Sequence, residues 1–133
     1  MRWLAATLAA GLVGGCAMPP AVICPAGLQT SIDDKLYFGT ATPDGVVSAD
    51  DWRQFVDREV TPRFPQGLTV TPATGQWQSG AGAIVREASF VLTLVHPDQA
   101  APEAAVQAIV DSYKTRFRQE SVLRVRTPTC VSF

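Results

Sequence analysis

The chain has a single histidine, His96, in 133 residues. Its three cysteines, Cys16, Cys24 and Cys130, lie far apart. Zinc sites draw three or four nitrogen or sulfur ligands, commonly in close-spaced pairs, so no metal site is expected. Charge of one sign is also lacking. Eleven basic residues face twelve acidic ones, for a net −1. Such a balance gives no bulk attraction to a polyanion, and no nucleic-acid partner is expected. No apolar run reaches the roughly twenty residues of a permanent membrane-spanning helix. A nucleophile elbow, a phosphate-binding loop, a dinucleotide fingerprint and a paired-histidine zinc motif are all missing. Nothing therefore names a reaction or a cofactor, and no cofactor is expected. Whether the protein is an enzyme stays open at this point.

What is present begins at the amino terminus. Met1-Arg2 gives a positive start, Leu4 to Val13 is apolar, and Gly14-Gly15 precedes Cys16. An apolar run of about ten residues fits the core of a cleaved export signal. A cysteine directly after small residues adds a thiol that can take a diacylglyceryl group. Residues 1–15 thus read as a lipoprotein signal, with a plain signal peptide as the alternative. A second acyl chain on the new amino terminus would make the anchoring stable. Ala17 in place of an aspartate leans toward the outer membrane. The expected location is the cell envelope, facing the periplasm or the extracytoplasmic side.

With Cys16 acylated, Cys24 and Cys130 remain. Export places them in an oxidising compartment, where a pair of cysteines favours a disulfide. Two separate thiols are the alternative. Residues 16–31 contain Pro19, Pro20 and Pro25 and read as a linker. Residues 32–133 suffice for one domain with one core.

Within that domain Lys35 to Thr40 reads as a first strand. Pro43-Asp44-Gly45 is turn chemistry. Ser48 and Asp51 form a capping box, and Trp52, Phe55, Val56 and Val60 make one helical stripe that Pro62 ends. Leu68 to Thr71 is a second strand, and Pro72 to Gly82 a Gly-rich hairpin region. Ile84 to Val95 is a third strand. Pro102 opens a second helix with the stripe Val106, Ile109, Val110, Tyr113 and Phe117. Val122 to Thr127 is the fourth strand. The order is βαββαβ, which predicts an α+β ferredoxin-like fold, a four-stranded antiparallel sheet with two helices on one face. Period-two alternation assigns Leu36, Phe38, Leu68, Val70, Phe90, Leu92, Leu94, Leu123 and Val125 to the helix side. Tyr37, Gly39, Thr69, Thr71, Ser89, Val91, Thr93, Val122, Arg124 and Arg126 then fall on the open side.

Several blocks carry a resemblance: Leu36-Tyr37-Phe38-Gly39, Val60-Thr61-Pro62-Arg63-Phe64-Pro65, Gly67-Leu68-Thr69-Val70, Gly75-Gln76-Trp77, Arg86-Glu87 with Ser89, and Ser121-Val122-Leu123. Over about residues 35 to 127 the chain resembles an uncharacterised bacterial family known by its Thr-Pro-Arg-Phe motif, the domain of unknown function 3574. Many members look like lipoproteins. The resemblance implies a domain and no reaction.

Candidate binding residues follow from the open face. Tyr37, Thr93, Arg124 and Arg126 would line a pocket for a small anionic or aromatic ligand, with Trp77 as a wall and Glu87 and Ser89 adding a carboxylate and a hydroxyl. Arg63 offers a planar fork for an anion, or else pairs with Asp57 or Glu59 at a helix exit. His96 stands at a strand end without a second group at catalytic spacing. The basic cluster from Lys114 to Arg126 reads as a helix terminus and a strand edge. The expected protein is a lipid-anchored envelope module whose open sheet face binds an envelope protein or a second copy. The alternative is a small-molecule-binding protein or enzyme of the dimeric ferredoxin-like type.

Overall fold

The computed structural model describes residues 22–133. The signal segment, Cys16 and the start of the linker lie outside the described residues. Four long strands form one antiparallel sheet: β1 Gln29–Gly39, β4 Thr69–Gln78, β5 Ile84–His96 and β6 Leu123–Val131, in the spatial order β4-β5-β1-β6. A small hairpin of β2 Ala41–Thr42 and β3 Gly45–Val46 follows β1. The helices are α1 Ala49–Phe55, continued by a π-helical turn over Val56–Val60, and α2 Ala100–Phe117. This is the expected ferredoxin-like α+β arrangement.

Local chemistry accounts for the helix ends. The Ser48 hydroxyl accepts from the Asp51 amide, and the Asp51 carboxylate accepts back from the Ser48 amide, which completes the capping box. Trp52, Phe55 and Val60 are all buried. In an α-helix the five-residue step from Phe55 to Val60 would swing Val60 about 140° off that face. The π turn, closed by the Thr61 amide donating to the Val56 carbonyl at 2.9 Å, returns Val60 to the core. Helix α2 buries Val106, Ile109, Val110 and Tyr113 and ends at Arg118, whose φ of 51° is left-handed.

The core is aromatic. Trp52 stacks on Phe90 with centroids 4.5 Å apart, and Phe38 meets the edge of Tyr113 at 4.6 Å. Leu36, Leu92, Leu94 and Ile109 fill the rest and are fully buried.

Three differences from the sequence reading matter. First, β1 begins at Gln29, so residues 29–31, read as linker, belong to the sheet. Cross-strand pairing with β6 from Gln29↔Val131 onward explains the longer strand. Second, β4 runs to Gln78, so most of the expected hairpin region is strand. The turn is confined to Ser79–Ala83, where Gly82 takes the positive φ of 83° that a side chain would resist.

The third difference is the phase of the last strand. Leu36, on the helix face, pairs with Arg124, and Asp34 pairs with Arg126. Directly opposed residues share a face. Arg124 and Arg126 therefore lie on the helix side, and Leu123 and Val125 on the open side, 60% and 42% exposed. Val122 packs against the core instead. The expected assignment holds for β1, β4 and β5 and is inverted for β6. The buried Asp34 and the more exposed Glu103 and Asp98 on the helix side draw the arginines there.

Cys24 and Cys130 form a disulfide with Cα atoms 5.5 Å apart. It joins the segment before β1 to the end of β6. No described helix is long and apolar enough to cross a membrane.

Candidate functional site

The open sheet face carries a pocket of about 360 Å³ toward the end of β1. Tyr37 and Gly39 come from β1, Ala73 to Trp77 from β4, Glu87 and Ser89 from β5, and Leu123 from β6. Gln119 and Ser121, in the connection after α2, close one side. The register explains the convergence. Gly39 pairs with Ser89, Ala73 with Ser89, Gly75 with Glu87, and Tyr37 with Leu123, all on one face.

Glu87 sets the chemistry of this pocket. Its Oε1 accepts from the Trp77 indole Nε1 at 2.7 Å, and its Oε2 accepts from the Ala41 amide at 2.5 Å. The carboxylate thus lies across the end of β1, directly over Gly39. A Cβ at Gly39 would stand 2.7 Å from the Glu87 Cδ and 2.8 Å from Oε2. Glycine is required here for close approach, not for backbone freedom. Beneath it the buried Tyr113 hydroxyl donates to the Gly39 carbonyl at 2.8 Å. Burial, aided by the Glu87 charge, pushes the Tyr113 phenol well above its usual range. The Gln119 side chain donates to the Ala41 carbonyl at 2.6 Å and fastens the remaining wall.

Of the six candidate binding residues, the structure brings Tyr37, Trp77 and Glu87 together and separates the other three. Arg124 donates through Nε to Asp34 Oδ1 at 2.7 Å and through Nη2 to Oδ2 at 2.6 Å. It also grips Glu103 on α2 at 2.6 and 2.8 Å. These carboxylates, Glu103 foremost and then Asp34, hold the guanidinium firmly charged. Arg126 pairs with Asp98 and lies 3.5 Å from Glu103. Arg124 therefore ties β6 to β1 and α2, and Arg126 ties β6 to the start of α2. Arg63 donates to the Glu59 carbonyl at 2.6 Å and to the Glu59 carboxylate at 3.1 Å, as the helix-exit reading expects. It borders a separate groove, with Phe64 and His96, away from the pocket.

His96 is buried, with Nε2 2.8 Å from Asp34 Oδ2 and Nδ1 2.8 Å from the Pro97 carbonyl. Both ring nitrogens are occupied, so it is not poised as an acid or base on a substrate. Thr93 lies on the open face beside Lys35, below the pocket. Among the described residues no cluster of histidine, cysteine and carboxylates could hold a metal.

The sequence reading passed over Asp34. It falls in step with Ile32, Leu36 and Phe38, all buried, and is itself fully buried. A carboxylate in that phase signals a partner elsewhere, because a buried charge is retained only when paired. It also did not single out Gly39 as a contact for Glu87, since the two meet only through the β1–β5 register.

No curated protein matches the chain in sequence. Solved structures match it in fold. A phage SAM lyase in complex with S-methyl-5'-thioadenosine superposes with a TM-score of 0.60 at 13% identity, covering 86% of this chain and 97% of the lyase. A phage SAM lyase in its apo state gives 0.56 at 17% identity, with the same coverage. CutA from Synechococcus elongatus gives 0.53 at 14%, covering 80% of this chain and 87% of CutA. Identities this low establish the fold alone. The family model described as protein of unknown function, DUF3574, matches residues 33–133. With both helices and all of the sheet except the first four residues of β1 inside that match, the chain belongs to the DUF3574 family.

Proposed function

We propose that the protein is a lipid-anchored cell-envelope module that binds a small molecule on its open sheet face. The observation that carries the reading is the convergence of Tyr37, Trp77 and Glu87 on one pocket of about 360 Å³. That size lies at the lower end of small-molecule sites, which pair apolar walls with a few placed polar groups. The Cys24–Cys130 disulfide supports export, since such bonds persist in oxidising compartments. Anchoring would come from an acylated Cys16. Loss of membrane fractionation in Cys16→Ala tests the anchor, and unchanged fractionation refutes it.

The ligand reading is tested by amide NMR on the purified chain, with a set of small heteroaromatic compounds. S-methyl-5'-thioadenosine, bound by the structurally similar phage lyase, belongs in that set. Shifts clustered at Tyr37, Trp77 and Ser89 are the expected result. Binding that clusters elsewhere overturns the reading, as does no binding by this set or by choline and its neutral isostere.

One observation favours a second use of the same face. Tyr37, Leu123 and Val125 are exposed apolar neighbours on the open side, and such groups favour protein contacts. If this group pairs with a second copy, Leu123→Lys should lower the mass measured by sedimentation equilibrium. A monomeric wild-type protein would remove self-association and leave the ligand reading standing.

A further inference from the structure

We infer that the open-face pocket selects a small organic cation, an inference that rests on its being a ligand site. Removing Arg124 and Arg126 from the open face reverses the charge expected there. The residues lining the pocket include one carboxylate, Glu87, and no lysine, arginine or histidine. On the helix face Asp34, Glu103 and Asp98 each meet an arginine. Glu87 meets no basic side chain among the described residues. Its two hydrogen-bond donors, the Trp77 indole and the Ala41 amide, are neutral. They fix the carboxylate in place without cancelling its charge. Each oxygen keeps a further lone pair.

A half-buried, oriented, uncompensated carboxylate is an attractive partner for a cation. The walls refine which cation. Trp77 is tied to Glu87 by its ring nitrogen, so its ring is locked alongside the charge, and Tyr37 stands across the pocket. Aromatic faces favour cations, indole most of all, and the attraction grows as the cation sheds water. A quaternary ammonium or a sulfonium sheds water more readily than a primary ammonium, whose charge is compact and strongly hydrated. The pocket therefore suits an alkylated onium group on a small organic body. Anionic ligands are disfavoured by the same carboxylate.

The architecture around the carboxylate holds it in place. Gly39 leaves the space that the carboxylate occupies, since a side chain there would meet it below 3 Å. The Ala41 amide reaches Glu87 because the chain turns into the small β2–β3 hairpin directly after β1, and Gln119 pins that turn from the opposite side.

The test uses an isosteric pair, choline and 3,3-dimethylbutan-1-ol, which differ in a quaternary nitrogen against a carbon. Saturation-transfer NMR on the purified full-length chain measures both affinities. Choline should bind at least about tenfold more tightly than the neutral alcohol. Glu87→Gln should abolish the preference, and tetramethylammonium should compete. Because the preference is read first on the unmodified protein, poor folding of the variant would not blur the result. Equal binding of the two probes, lost in Trp77→Ala, overturns charge selection while leaving the ligand site intact. Failure of both probes, and of the heteroaromatic set, overturns the two readings together.

Discussion

Replacing Arg124 by alanine should damage the fold and leave the pocket alone. Arg124 is 18% exposed at its side chain and Asp34 is 0% exposed. Their contact is bidentate, with both guanidinium donors at 2.6–2.7 Å. Removing one partner of such a buried pair strands the other, at a cost of about 3–5 kcal/mol. His96 remains as a donor to Asp34, which places the loss toward the lower end, about 3–4 kcal/mol. The Glu103 contacts add little, because that carboxylate is 45% exposed and screened by water. For a domain of roughly 110 residues, about 4 °C of melting temperature goes with each kcal/mol, so the shift should be about 12–16 °C. Thermal melting followed by circular dichroism at pH 7 measures it. The double variant Asp34→Asn, Arg124→Met should recover part of the loss, since no buried charge is left unpaired. A shift under about 4 °C, roughly 1 kcal/mol, would refute the pairing argument. So would loss of ligand binding at unchanged stability, which would return Arg124 to the pocket.

Acid should weaken the same tie. Burial by itself would raise the Asp34 carboxyl, but hydrogen bonds and charge from Arg124 and His96 outweigh it and hold it below the ordinary 3.8. A depressed folded value adds stability above 3.8 and forfeits it as pH falls through that lower value. Urea midpoints should therefore drop below pH 3.8, and Asp34→Asn should show a shallower fall; parallel curves would exclude Asp34 as the cause. Reducing the Cys24–Cys130 bond opens a loop with a sequence separation of 106, for a loss of about 4–5 kcal/mol in the chain-entropy picture; an unchanged urea midpoint after reduction would contradict it. Gly39→Ala should push the Glu87 carboxylate off its two donors, lowering stability by about 1–3 kcal/mol for the bonds lost and weakening choline binding. Wild-type affinity in that variant would show that the carboxylate needs no fixed seat.

Much of the fold was readable because local signals agreed. The Ser48–Asp51 box, the Trp52 and Phe55 stripe, and the Val106-to-Tyr113 stripe each point to one element with one buried face. The alternation of β1 and β5 placed Tyr37, Glu87 and Ser89 correctly. It failed in β6 because the apolar residues there, Leu123 and Val125, are the ones left facing out. Arg124 is drawn inward by Asp34, 90 residues away, and by Glu103, 21 residues away, and Arg126 by Asp98, 28 residues away. Arginine stems can line apolar surface while their heads pair, and no local pattern reveals a partner at that separation. The pocket itself was half readable. Tyr37, Trp77, Glu87 and Ser89 were named for it, but its charge was assigned from arginines that belong to the other side.

The disulfide has a mechanical consequence. Cys130 sits opposite Thr30, at the Gln29 end of β1, whereas Gly39 marks the pocket end. Nine residue steps along β1 separate Thr30 from Gly39, roughly 30 Å. A pull on the chain ahead of Cys24 would enter the fold through a covalent clamp to β6 and load β1 and β6 together. The force would run into the far end of the sheet, leaving the Glu87 seat outside the line of tension. A domain moored in this way can be tugged at its base without its mouth being deformed.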